Sequence, residues 1–288
     1  MTKIILLTGA TDGIGYETAK ILANQGHTLL IHGRSETKLT NTKNKLEKLG
    51  STGVIETYCA DLSNMQDVVS LANAIKSKHS KLDVLINNAG VYKIPNTKSE
   101  SGHDIRFLVN TIAPYLLTTE LLTLIPCSGR VVNVSSAAQS SVDLKAIVGE
   151  ISLTDEQAYA QSKLAMIMWS FYLAQQLGSR GSAIITVNPA SFLASKMVKE
   201  AYGIQGNDLS IGVDILVQAA LGSEFNEATG RYFDNDKKSF SSPHPDALDI
   251  RINEKLIAVM GNVIDKLLKN KGHMGFANSR TLETSNLS

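Results

Sequence analysis

The feature that most constrains this chain is a rhythm in which short apolar or β-branched runs alternate with longer segments of helical period. The runs are Lys3 to Thr8, Thr28 to His32, Val54 to Tyr58, Val84 to Ile86, Arg130 to Val134, Ala183 to Val187 and a short Arg231 to Phe233. They lack the apolar–polar alternation of a half-solvated strand, so both faces need cover. Intervening helices supply it, because parallel neighbours are joined by crossovers that are usually helical. The pattern predicts an α/β domain with a doubly wound parallel sheet of about seven strands, spanning residues 1–270. The stretch SFSSPHP, Ser239 to Pro245, reads as a turn-rich exit into a last helix near Arg251 to Lys269. Residues 271–288 are polar and aperiodic and read as a flexible tail.

Charge and cysteine content narrow the function classes. With 28 Lys plus Arg against 27 Asp plus Glu, no broad field attracts nucleic acid or an anionic membrane, and a small-molecule ligand fits better. Cys59 and Cys127 are too few for a disulfide framework or metal cluster and read as packing residues. None of the six His has metal-ligand spacing. The first residues enter a strand-length run without a basic leader, and no run approaches a transmembrane length. These points predict a cytosolic (cytoplasmic) protein. Two helices, Phe107 to Leu122 and Lys163 to Leu177, carry more apolar residues than one buried stripe needs, which predicts a homodimer.

Between the first strand and a helix beginning near Ile14 lies TGATDGIG, with Gly9, Gly13 and Gly15 spaced GxxxGxG around Thr11 and Asp12. Glycines allow positive φ and close backbone approach, while a helix N-terminus directs unpaired N–H groups at a pyrophosphate. A bare strand-to-helix turn has the same composition, so position between strand and helix carries the argument for a Rossmann-type nucleotide loop. At the end of the second strand, where an acid would hold the ribose 2′-hydroxyl of NAD, stand Arg34 and Ser35. A guanidinium suits a 2′-phosphate, so the cofactor reads as NADP (NADPH) rather than NAD, although Asp12 adds an unhelpful charge.

Tyr159 and Lys163 lie four apart in YAQSK, on one face of a helix. An ammonium beside a phenol favours phenolate and suits Tyr159 to proton exchange with an alkoxide. Chance surface pairs share that spacing, and its companions make it specific: the glycine loop, Asp61 and Leu62 in CADLS, Asn87, Ala89 and Gly90 in NNAG, Asn110 in FLVNT, Ser135 and Ser136 in GRVVNVSS, and Pro189 in VNPAS. In this order the set resembles the short-chain dehydrogenase/reductase family over about residues 3 to 235. The resemblance implies an oxidoreductase exchanging a hydride between NADP(H) and a small-molecule carbonyl or alcohol substrate. It places the catalytic Asn, Ser, Tyr and Lys at Asn110, Ser136, Tyr159 and Lys163. Ser136 would hold the substrate oxygen, Tyr159 would donate the proton, Lys163 would hold the nicotinamide ribose and keep Tyr159 acidic, and Asn110 would anchor a water. It also implies that Asp61 reads the adenine, that Asn87, Ala89 and Gly90 lie along the cofactor, and that Ser191 and Ser195 follow Pro189 beside it. The alternative is a dinucleotide-binding sensor or scaffold without turnover.

Two departures stand out. Where the family pattern has Pro-Gly, this chain has Pro189-Ala190, and a residue with Cβ resists positive φ. The interval from Ser136 to Tyr159 is about ten residues longer than in compact members, resembling retinol-dehydrogenase-like and related reductases. Its insert, SVDLKAIVGEISLTDEQA, is predicted to wall the substrate side, with Phe192, Leu193, Met197 and Tyr202 as an apolar lid.

Overall fold

Asp12, Ser35, Asn64 and Asp208 each stand just before a helix and turn a side-chain oxygen onto its first free N–H groups. They start α1 (Gly13–Asn24), α2 (Glu36–Lys48), α3 (Met65–Lys78) and, later in the chain, Leu209–Leu221. Such caps contribute about 1 kcal/mol each and set where strand gives way to helix. The structure, a computed structural model, describes residues 2–194, 203 and 206–269.

The seven expected strands are present as β1 (Ile4–Leu7), β2 (Thr28–Gly33), β3 (Ile55–Cys59), β4 (Val84–Asn87), β5 (Arg130–Val134), β6 (Ala183–Asn188) and β7 (Arg231–Asp234). They run parallel in the order 3-2-1-4-5-6-7. An eighth, β8 (Ser239–Ser241), pairs antiparallel with β7, where the sequence predicts only a turn-rich exit. Phe240 anchors it against Phe225 and Phe233 at 5.3 and 5.2 Å.

Successive strand residues face opposite layers. Leu6, Leu85, Val131 and Ile184 join one core, while Ile5, Leu7, Ile86, Val132 and Ile185 join the other under α1 and α2. Beyond β4 the chain forms α4 (Ile105–Phe107), a π-helical turn (Leu108–Ile112) and α5 (Ala113–Leu121), rather than one uniform helix. Pro114 has no N–H to give the carbonyl of Asn110, and the ladder widens there. The insert holds α6 (Leu144–Ile147), and α7 (Asp155–Leu177) begins before Tyr159 on a Thr154–Gln157 capping box. Leu209–Leu221 is α8, and the last helix, Ile250–Lys269, is α9.

Two expectations change. Ala165 to Trp169 are at most 1% exposed within a single chain, so the apolar excess of α7 no longer argues for a subunit interface. Both cysteines are exposed rather than packed. Cys59 ends β3, an edge strand with one strand neighbour in the sheet, in which Ile55 and Tyr58 are buried while Thr57 and Cys59 are exposed. The predicted tail, 271–288, and Ser195, Met197 and Tyr202 lie outside the described residues.

Candidate active site

The glycine loop is built as its composition requires. Gly9 and Gly13 take φ of +68° and +53°. At Gly15 a Cβ would sit 2.1 Å from the Gly9 carbonyl oxygen, so the close approach excludes a side chain. Asp12 accepts from the Gly13 N–H at 2.8 Å and starts α1. That cap leaves Ile14 and Gly15 to present their N–H groups at the helix N-terminus. Thr8 and Asn88, which the sequence reading passed over, lock this loop to the end of β4. Asn88 Nδ2 donates to the carbonyls of Thr8 and Gly9 at 2.9 and 3.1 Å, and Thr8 Oγ1 accepts the N–H groups of Asn88 and Ala89, each at 3.0 Å. His32 adds a second tie, accepting from Gly9 N–H at 3.4 Å while Nε2 faces the Ala60 carbonyl at 3.1 Å. Burial pushes its pKa down to about 4, so the ring is neutral and serves as donor on one nitrogen and acceptor on the other.

Asn87, expected along the cofactor, instead turns inward. Its Nδ2 donates to Thr118 Oγ1 and Asn133 Oδ1, because a β4 residue of its parity faces the core. Ser35 is likewise a helix cap, its hydroxyl accepting from Lys38 N–H. Arg34 is exposed beside it, with no carboxylate within 4.0 Å among the described residues. Thr11 lies close behind, its methyl 2.8 Å from where a Gly33 Cβ would be. Asp61 accepts from Ser63 N–H and Oγ at 2.9 and 2.8 Å, closing the turn after β3, and Leu62 is buried.

The candidate catalytic residues come from three elements. Asn110 lies in the π turn, fully buried, and its amide pairs with both backbone groups of Val91: Oδ1 accepts from N–H at 2.8 Å, and Nδ2 donates to the carbonyl at 2.9 Å. Nδ2 also reaches Ser162 Oγ on α7 at 3.0 Å. Lys163 is 4% exposed, donates from Nζ to the Val134 carbonyl at 2.8 Å, and sits 5.7 Å from the Tyr159 ring centre. Burial lowers its pKa to about 8, which keeps it protonated near neutrality. Gly90 is where these groups meet: a Cβ there would lie 3.4 Å from Asn110 Oδ1 and 3.5 Å from Lys163 Nζ. Ser135 Oγ is spent on the Lys163 carbonyl, whereas the half-buried Ser136 hydroxyl accepts from Ala138 N–H and, among the described residues, keeps its own proton to donate. Tyr232 and Gln139 both donate to the Ser136 carbonyl, at 3.2 and 3.1 Å, and fix that turn.

After β6 the loop passes over the start of α1. Leu193 is buried, its Cδ1 2.4 Å from the position of a Gly212 Cβ that also approaches Ile14, so it packs rather than forming an exposed lid; Phe192 is exposed. Ser191, expected at the cofactor, has its hydroxyl and N–H on Asp236 at 2.6 and 2.8 Å, and Asn235 holds the Pro189 carbonyl at 2.9 Å. Ala190 is thereby held at φ +118° despite its Cβ. Such strain costs of order 1–3 kcal/mol. Ala190→Gly is therefore expected to raise stability by about 1 kcal/mol after its own chain-entropy cost, measured by denaturant midpoint at constant m.

A parallel sheet with a glycine loop at its strand ends, and Asn, Ser, Tyr and Lys gathered beside it, defines a nucleotide-dependent oxidoreductase. The short chain dehydrogenase family matches residues 3–203, and the chain belongs to that family. Among its relatives are polyprenol dehydrogenase from Homo sapiens, 30% identical over 88% of this chain and 81% of that protein, and human retinol dehydrogenase 13, 26% identical over 91% and 84%. A short chain dehydrogenase from Escherichia coli CFT073, complexed with NADPH, superposes with a TM-score of 0.65 at 27% identity, covering 81% of this chain and 96% of that one.

Proposed function

We propose that this protein uses NADP(H) to interconvert a carbonyl and an alcohol on an apolar small molecule, with reduction as the cellular direction. The observation that carries the reading is the convergence of Asn110 and Lys163 on Gly90, with Lys163 Nζ 5.7 Å from the Tyr159 ring centre. When bound, the nicotinamide supplies or accepts the hydride. The protein's own residues then act on the oxygen: Ser136 donates a hydrogen bond to it, and Tyr159 donates the proton that completes the alcohol. Lys163 keeps two N–H groups beyond its bond to Val134, one for the cofactor ribose and one whose charge favours the phenolate of Tyr159. Asn110 holds Val91, and so Gly90, open beneath the cofactor, in addition to any water it anchors. The residues fit the cofactor because Gly90 has no side chain where Asn110 and Lys163 meet, and because Arg34 is exposed beyond the glycine loop with no carboxylate within 4.0 Å among the described residues.

The apolar substrate class is supported by relatives named for polyprenol and retinol and by exposed Ile151 and Phe192. A cytosolic setting belongs to the same proposal. The one described helical stretch of spanning length and composition, Ile105–Leu124, is 67% buried inside the protein. A scaffold without turnover has no evident use for a lysine buried at a cost. A panel of aldehydes, ketones, quinones, steroids and retinoids, followed by loss of NADPH absorbance, tests the proposal; turnover of none of them would count against it.

Arg34 decides the cofactor. Arg34→Ala is expected to weaken NADPH binding about ten- to hundredfold, the loss of one charge-assisted contact, and to leave NADH binding nearly unchanged. Titration of both cofactors by fluorescence measures this, and equal losses would remove the 2′-phosphate assignment.

A further inference from the structure

Arg106 carries a full charge at 1% exposure, and no step above uses it. Its Nε and Nη2 donate to Asp104 Oδ1 and Oδ2 at 2.9 and 2.6 Å, and its Nη1 donates to Asp155 Oδ1. Desolvation offsets much of the attraction in such a pair, so its larger effect is on geometry. Arg106 ends one turn before Asn110. Asp155 lies one turn before Tyr159 and two before Lys163, so the same stripe of α7 carries all three. A second tie crosses between these segments further along, where Asn110 Nδ2 meets Ser162 Oγ at 3.0 Å and Thr111 Oγ1 meets the Ser162 carbonyl at 2.8 Å. Tyr159 falls between the two ties.

We infer that Arg106 is a positioning residue: by holding Asp155 it sets the register of α7 against the Asn110 segment and so fixes the reach of the Tyr159 hydroxyl. The guanidinium suits this because its planar fork engages two carboxylates at once, which an ammonium on a flexible stem does not reproduce. The π turn breaks the regular helical ladder between the two ties, leaving side-chain bonds to hold the spacing. The inference rests on Tyr159 being the proton donor.

Asp155→Asn is the primary test, because the Asp155 side chain is 37% exposed and Asp104 still neutralises Arg106. Arg106→Gln is the companion variant, and Asp155→Glu restores the charge. With a substrate that Tyr159→Phe fails to reduce, both broken variants should lose about tenfold or more in kcat, as small misplacements of reacting groups do. NADPH dissociation constants should stay within about twofold, and Asp155→Glu should recover most of the rate. A second readout is the titration midpoint of Tyr159, followed by NMR of carbon-labelled tyrosine and identified by its absence in Tyr159→Phe. Lys163 Nζ lies 5.7 Å from that ring's centre, and the Lys93–Glu156 pair meets Tyr92, the titratable ring packed 4.7 Å from it. Removing the Asp155 anion alone would lower the midpoint, whereas loss of the Lys163 contact raises it; Asp155→Asn is expected to raise it by about half a pH unit or more. A lower melting temperature with unchanged kcat and unchanged midpoint would make the Arg106 cluster structural only and overturn the inference. If Tyr159→Phe itself remained active, the proton-donor reading would fall, and the midpoint would still report whether Arg106 positions that ring.

Discussion

Tyr159→Phe is expected to lower kcat by about 10²- to 10⁴-fold, the usual contribution of a positioned general acid, and to leave NADPH affinity within a few-fold of the parent. The substitution removes one oxygen and keeps the ring, which packs 4.7 Å from Tyr92. The helix is retained because Phe and Tyr have similar helix propensities, and Lys163 still reaches Val134 at 2.8 Å. Steady-state rates beside a fluorescence titration of cofactor separate the two quantities. A proportional loss of affinity would mean that the hydroxyl serves binding instead.

Lys163→Met is expected to stabilise the protein without cofactor while abolishing turnover. The folded chain lowers the lysine from its usual 10.5 to about 8 through burial. At about 1.4 kcal/mol per pH unit, keeping that ammonium inside costs about 3 kcal/mol near neutrality. Methionine has similar length and no charge, but it leaves the Val134 carbonyl without its donor, at about 1 kcal/mol or more. The net gain is about 2 kcal/mol. Its pH dependence has a definite sign. Between about 8 and 10.5 the unfolded lysine holds a proton that the folded one has released, so wild-type stability rises with pH across that window. The advantage of Lys163→Met is thus full below pH 8 and gone above 10.5. Denaturant unfolding at pH 7 and at about pH 11 measures both ends, and a Met variant less stable at pH 7 would show that Lys163 is favourably solvated where it lies. An active site that sacrifices stability for a buried cation is a common trade-off.

The strand rhythm was legible because a doubly covered strand leaves an unbroken apolar run, and all seven predicted strands have bounds within a residue of those observed. β8 was not legible: three residues followed by Ser242 and Pro243 resemble a turn, and it is the pairing with Tyr232, Phe233 and Asp234 that makes them a strand. The candidate site was legible as an ordered set of residues, yet the same residue types also serve the scaffold. Ser35 caps α2, Asn87 bridges Thr118 and Asn133 in the core, and Ser191 is held by Asp236, none of which spacing reveals. The converse holds for residues the sequence gives no reason to choose. Thr8 and Asn88 brace the glycine loop through backbone contacts roughly 80 residues apart in the chain. His32 reads as one more strand residue, and Arg106 as a helical surface charge, until burial and partners are known. Asn88 had one usable signal, its place as the second Asn of NNAG directly after β4.

In the reaction proposed above, a hydride leaves NADPH for a carbonyl carbon at the site formed by Asn110, Ser136, Tyr159 and Lys163. The most direct measurement supplies NADPH deuterated at the transferring position of the nicotinamide, together with apolar aldehydes and ketones, and examines the alcohol products by mass spectrometry. A single deuterium on the carbinol carbon is expected with the wild-type protein and none above background with Tyr159→Phe. Saturable NADPH binding with no labelled alcohol from any carbonyl offered would contradict it and leave the protein a nucleotide-binding scaffold.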